Sequence, residues 1–167
     1  TEPQKIVASV MERDEVPFYD DSLFLAIDTM NDNRNGYVLW TNPNGIKYDA
    51  SVTNNSSLNV QWDGIWDVKA VRTKDGWQAE IRLPFSTVRH RAGANEWGFN
   101  IWRKLPRNGE EGRWSGSRPE IRTYHFAQAG KIRGININRK SLNLEVTPYV
   151  VGDSNGSKTS GDIGGDI

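Results

Sequence analysis

Apolar side chains recur at every second position along most of this chain, the spacing that lines one face of a β-strand. Leu23, Leu25 and Ile27 alternate with Phe24, Ala26 and Asp28. After the polar stretch "TMNDNRNG", Tyr37, Leu39 and Thr41 alternate with Val38, Trp40 and Asn42. The turn Asn42-Pro43-Asn44-Gly45 follows, with proline where φ is preset and asparagine and glycine where left-handed φ is tolerated. The return strand sets Ile46, Tyr48 and Ala50 against Lys47, Asp49 and Ser51. Its amphipathic pattern predicts one wet face. The strand before it is bulky on both faces, which predicts cover from outside this hairpin.

The clearest hairpin is "IWDVKAVRTKDGWQAEIRLPF". Trp66, Val68 and Ala70 share a face, Lys74-Asp75-Gly76 turns the chain, and Trp77, Ala79, Ile81 and Leu83 return. Pro84 ends that ladder, and "FSTVRHRAGANE" is read as irregular or as a single helical turn. "WGFNIWRKL" is a further strand, with Trp97, Phe99 and Ile101 opposite Gly98, Asn100 and Trp102. "TNNSSLN" and "PRNGEEGRWSGSRPEIR" are read as polar loops, and "KIRGININ" as a short strand. No segment carries a helical period. Short strands at this spacing predict an all-β fold, an antiparallel β-sandwich.

The tail is different. "SLNLEVTPYVVG" alternates Leu142, Leu144 and Val146 with Asn143, Glu145 and Thr147 and ends near Tyr149. That is an ordinary strand with a glycine- and serine-rich end, or the weak signature of an outer-membrane barrel strand.

Composition narrows the function classes. At 167 residues the chain is one domain with a short further element. It holds 21 lysines and arginines against 21 aspartates and glutamates, so bulk charge gives no reason to expect nucleic acid or an anionic membrane. Seven tryptophans beside five phenylalanines and five tyrosines suit a sandwich core, a sugar-binding face, or both. There is no cysteine, which excludes disulfides and thiolate chemistry. No apolar run reaches the roughly 18 residues of a membrane helix. With no signal peptide or initiator methionine, a chain opening at Thr1 reads as processed or excised.

Four stretches, in this order, resemble a known family: "RDEVPFYDDSLFLAIDTMNDNRNGYVLWTNPNGIKYDA", "WDGIWDVKAVRTKDGWQAEIRLPFSTVR", "WGFNIWRKLPRNGEEGRW" and "LEVTPYVVG…GDIGGDI". They look like bacterial outer-membrane proteins that open with a domain similar to the family 9 carbohydrate-binding modules and continue into a predicted β-barrel. The resemblance implies a sandwich domain over residues 1–138 lacking its N-terminal strands. It also implies a linker with a first barrel strand over 139–167, and a place in the Gram-negative cell envelope, at the outer membrane or in the periplasm. The implied function is non-catalytic glycan binding. The alternative is an accessory or docking domain of the barrel protein that keeps the fold without the sugar. The implied partners are a glycan or terminal sugar and the protein's own barrel or missing N-terminal segment, with no nucleic acid.

In the family 9 modules two aromatic rings sandwich a sugar. Phe18 matches one ring, and Trp114 is the nearest candidate for the other. The family's acidic ligand matches Phe24 and its arginine matches Trp40, neither of which can take that role, so Trp40 is expected to pack on Phe24. Arg113 lies beside Trp114, with Arg118, Glu110 and Glu111 in the same stretch, and Trp62 beside Asp63 is a further contact candidate. Trp66, Trp77 and Trp97 are expected in the core by their period of two. "NDNRNG" resembles the opening of a calcium loop but lacks its closing acid, since Asn42 stands there. Structural calcium on Asp28 and Asp32 is therefore set against a plain solvated turn. No catalytic set is present: His90 and His125 have no carboxylate–nucleophile company, zinc spacing is absent, and Ser115 is not in a nucleophile elbow.

Overall fold

The computed structural model describes residues 3–116, 122 and 124–137. The tail over 139–167, where a barrel strand is expected, and Arg118 lie outside the described residues. Nine strands are present among those described: β1 Ser22–Asp28, β2 Gly36–Thr41, β3 Tyr48–Thr53, β4 Ser57–Asn59, β5 Asp67–Thr73, β6 Gly76–Arg82, β7 Glu96–Leu105, β8 Glu110–Arg113 and β9 Gly130–Arg133. The large sheet runs β4-β3-β2-β1-β7-β8, and β9 also pairs with β7. Hairpin β5–β6 forms the second sheet, and every pairing is antiparallel. This is the all-β antiparallel sandwich that the alternation predicts, and it is not a closed barrel.

Register sorts the side chains of the large sheet. Phe24 stands opposite both Trp40 and Trp102, and Ala26 opposite Val38 and Asn100. Those residues, with Ala50 and Val52 of β3, form one face, packed under Tyr124 and Phe126. Leu25, Ile27, Leu39 and Trp97 form the other, packed under Trp66, Val68, Ile81 and Leu83 from the β5–β6 layer. Both faces of β2 are thus covered, as its bulky residues require. Gly36 on β2 allows this closeness, because a Cβ there would meet Ile27 O at 2.2 Å and the Phe126 ring at 2.5 Å.

Three expectations need correction. The Asp49 face of β3 is not wet: Asp49 is 1% exposed, opposite the core residue Leu39, because the loop leading into β5 folds over it. "TNNSSLN" is not all loop, since β4 pairs with β3 through Ser51↔Asn59 and Val52↔Leu58. The stretch after Pro106 also contains a strand. Gly109 takes left-handed φ at 62°, and β8 then returns along β7 with Trp102 opposite Arg113. Polar residues can serve such edge strands because pairing needs backbone groups, not apolar side chains.

Before β1 an extended arm is pinned to the sheet by two buried carboxylates. Asp20 accepts from Ser9 N (2.8 Å), Ser9 Oγ (2.7 Å), Val10 N (3.0 Å) and Asn42 Nδ2 (2.8 Å). Asp21 accepts from Val7 N at 2.8 Å and pairs with Arg107 at 3.0 Å. Burial alone would raise the Asp20 pKa, but the Ser9, Val10 and Asn42 donors outweigh it and hold the carboxyl below its ordinary value.

Candidate functional site

The sequence candidates fall at three separate places. Arg113 stands opposite Trp102, and its guanidinium is 5.9 Å from that ring, on the aromatic face. Lys104 shares the face and reaches over the Phe18 ring, 3.5 Å from its centroid, which puts Phe18 at that side of the sheet. Trp114 is on the other side. Its ring packs against Phe99 at 5.9 Å and over Gly130, whose missing Cβ would otherwise meet it at 2.4 Å. Phe18 and Trp114 are both exposed, at 51% and 57%, yet they do not face each other across a gap. The cause is strand parity: Arg113 and Trp114 are consecutive, so they point to opposite faces.

Trp40 packs on Phe24, as expected. Their ring centroids are 5.4 Å apart and nearly perpendicular, and Trp102 and Tyr48 join at 6.2 and 6.0 Å from Trp40. Trp40 is 8% exposed. These ring contacts fill the positions where the family resemblance would place polar sugar ligands. The late aromatic residues on this face are Tyr124 and Phe126, not Trp114.

Trp62 has a different setting. It lines an open groove of 1100 Å³ between β2, β3 and the two loops 62–65 and 86–90. Its ring packs on Tyr37 with centroids 4.6 Å apart, and lies over Gly64, where a Cβ would fall 2.6 Å from the indole. Tyr37 is held in turn, its hydroxyl accepting from Arg89 N at 3.0 Å. Asp32, Asn35, Asp63, Arg89 and His90 supply the polar lining. The loop carrying Trp62 is fixed from below by Asp49, which accepts from Gly64 N at 3.0 Å and Trp66 Nε1 at 2.7 Å. Arg13 from the N-terminal arm bridges Asp49 and Asp63. The sequence singles out Trp62 and its neighbour Asp63. Tyr37, Arg89 and His90 are brought to them by pairing and loop return, which no local pattern in the sequence announces.

Asp28 at the end of β1 and Asp32 of the "NDNRNG" loop are both spent on backbone donors. Asp28 accepts from Asn33 N (2.8 Å) and Asp32 N (3.2 Å), while Asp32 accepts from Arg34 N and Asn35 N, each at 2.8 Å. Burial raises the Asp28 pKa despite those bonds. Asp32 is held below its ordinary value because the Asn35 and Arg34 donors outweigh its desolvation. The Lys131 ammonium donates to the side-chain oxygens of Asn31 and Asn33. Among the described residues no group of three or more histidine or acidic side chains is placed to hold a metal.

In comparison with known proteins, no family model, no curated protein and no solved structure matches this chain. Among the described residues no helix is long and apolar enough to cross a membrane, which says nothing of crossing by strands.

Proposed function

We propose that this is a non-catalytic glycan-binding domain of a cell-envelope protein, and that its sugar-contacting wall is Trp62 backed by Tyr37. One observation carries the reading: a tryptophan ring, fixed by its neighbours, lines an open groove amid hydroxyl-matching groups. Pyranose C–H groups pack on an indole face while carboxylates, amides and guanidinium groups take the hydroxyls. Such a mix of an aromatic wall with a few convergent polar groups is what small-molecule sites share. The size of the groove suits several sugar units rather than one. The resemblance to family 9 modules supports the ligand class and the envelope setting, while the wall differs from the one that resemblance implies.

The test is a glycan array followed by calorimetry on the full chain with Trp62→Ala, Phe18→Ala and Trp114→Ala. Saturable binding that Trp62→Ala reduces by about tenfold or more, with the other two close to wild type, is the expected result. Loss in Phe18→Ala and Trp114→Ala instead would overturn this choice of wall.

A second reading, a docking domain without sugar binding, is favoured by the closed aromatic face. Phe24, Trp40 and Trp102 fill it, while Phe18 and Tyr19 remain exposed beside it. A folded protein that binds no glycan on the array would select this reading.

A further inference from the structure

The second sheet has two strands, and among the described residues β6 pairs only with β5. Two contacts place β5 beside the β2–β3 turn. Lys47 Nζ donates to Trp66 O at 3.0 Å, just before β5, and a Cβ on Gly45 would lie 3.6 Å from Ala70 N. The free edge of β6 therefore points the other way across the large sheet, toward β7. In keeping with this, Trp77 and Gln78 of β6 line a cavity of 260 Å³ with Leu23 of β1 and Arg103 of β7. The period of two assigns Trp77 to the core, yet the structure leaves it half-buried, because the hairpin end overhangs this cavity rather than a packed layer.

Cover on this face of the large sheet is uneven. Ile27, Leu39 and Trp97, in the cluster of Trp66 and Val88, are no more than 7% exposed. Leu23, Leu25 and Ile101 share the face by register and are only half-buried. Ile101 and Trp77 belong to neither buried cluster. A free strand edge beside an apolar strip is the arrangement to which a further strand adds, with backbone bonds to the edge and side chains on the strip.

The described chain ends in this same layer. Gly134, at a left-handed φ of 82°, turns the chain out of β9, and Gly134 N and Ile135 N both donate to Asn95 O. Ile135 and Ile137 then join the cluster of Trp66, Val88 and Leu83, at the Arg82 end of β6. Beyond Ile137 the sequence soon alternates Leu142, Leu144 and Val146 with Asn143, Glu145 and Thr147. One apolar and one polar face is what an outer strand of a two-layer fold requires. The steps from Ile137 to Leu142 reach at most about 17 Å, more than the roughly 10 Å between packed sheets.

We propose that residues 141–147 dock as the third strand of the second sheet, antiparallel to β6 along its free edge, with Leu142, Leu144 and Val146 laid on the strip of Leu23, Leu25 and Ile101. The direction follows from the chain entering at the Arg82 end. The facing follows from β6, where Trp77, Ala79 and Ile81 turn inward and Gln78, Glu80 and Arg82 are exposed. Leu142 then stands opposite Ile81, Leu144 opposite Ala79, Glu145 opposite Gln78 and Val146 opposite Trp77, at the cavity. The alternation that resembles a barrel strand is satisfied by protein, not by lipid. The inference does not rest on the glycan reading of the Trp62 groove.

The experiment uses introduced cysteine pairs in the full chain, which has no cysteine of its own. Glu145→Cys is combined with Gln78→Cys or, as the control, with Val71→Cys on β5, which stands opposite Gln78 and is 56% exposed. The expected result is an intramolecular disulfide in the first pair and none in the second. Residues two strands apart lie about 9–10 Å from each other, and a disulfide needs Cα atoms within about 7 Å. In the wild-type chain, hydrogen exchange at residues 142–146 is slowed by about tenfold or more relative to a free chain. Leu144→Asp removes that slowing while β1 and β2 stay protected. No bridge to Gln78→Cys, or an equal one to Val71→Cys, overturns the pairing. Bridges found only between chains assign the edge to a second copy and overturn it as well. So does exchange at residues 142–146 that runs at the free-chain rate, or that slows only in detergent micelles, the result for a barrel strand.

Discussion

The indole N–H of Trp66 donates to Asp49 Oδ2 at 2.7 Å across the space between the two sheets, with both residues no more than 1% exposed. The other oxygen of that carboxylate accepts from Gly64 N, and Arg13 supplies the compensating charge at 3.2 Å. One aspartate therefore joins β3, the loop bearing Trp62, the second sheet and the N-terminal arm. A carboxylate so deeply placed is tolerable only with this full set of donors.

Asp49→Ala is expected to destabilise the fold by about 2–4 kcal/mol, because it strands two buried N–H groups and the Arg13 charge. Asp49→Asn keeps an acceptor for one of them and should cost less. Urea unfolding followed by tryptophan fluorescence measures both. Equal losses would mean the carboxylate acts by volume alone.

Gly64 sets the position of Trp62 by having no side chain. In Gly64→Ala the new methyl would fall 2.6 Å from the Trp62 ring, so the indole must leave its place over Tyr37. Stability should change by about 1 kcal/mol, while glycan affinity falls by about tenfold. Unchanged affinity with a displaced ring, checked by the Trp62 indole resonance, would remove Trp62 from the binding wall.

Acid should release the N-terminal arm first. The Ser9, Val10 and Asn42 donors hold the folded-state pKa of Asp20 below the ordinary aspartate value, so the stability it contributes is full above that value and is lost as pH falls through the folded pKa. Asp28 acts in the opposite sense. Its raised pKa means that ionisation costs stability at neutral pH, and this cost lifts as acid protonates it. Hydrogen exchange of the Ser9 and Val10 amides should therefore accelerate below about pH 4, ahead of global unfolding. In Asp20→Asn those amides should exchange fast at every pH. Protection that holds until the whole protein unfolds would show that the arm has no separate acid transition.

Calcium is expected to leave the melting temperature unchanged, as is a chelator. Asp28 and Asp32 already cap backbone N–H groups, and the Lys131 ammonium already holds Asn31 and Asn33. Lys131→Met should lower stability by about 1 kcal/mol by freeing those amide oxygens. A calcium-dependent rise in the melting temperature of the wild-type protein would mean that the ion displaces the lysine.

Much of the fold was legible because a period of two is a local signal. It identified β1, β2, β3, β5, β6 and β7, their turns, and which of their residues share a face. It missed β4 and β8, since short polar edge strands are held by backbone bonds and leave no apolar trace. The same period assigned Trp77 to the core and could not show that the hairpin end overhangs the sheet.

The sequence by itself determined an all-β antiparallel chain and which residues of each strand share a face, because alternation and turn chemistry act between near neighbours. The packing of Trp40 on Phe24 was expected from the family resemblance instead. Tertiary structure alone decided that Asp49 is buried beneath Trp66, that Phe18 and Trp114 part to opposite faces, and that Trp62 meets Tyr37 at a groove. Those outcomes depend on which layer covers which face. That is settled by contacts between residues far apart in the chain, where no short-range pattern reaches.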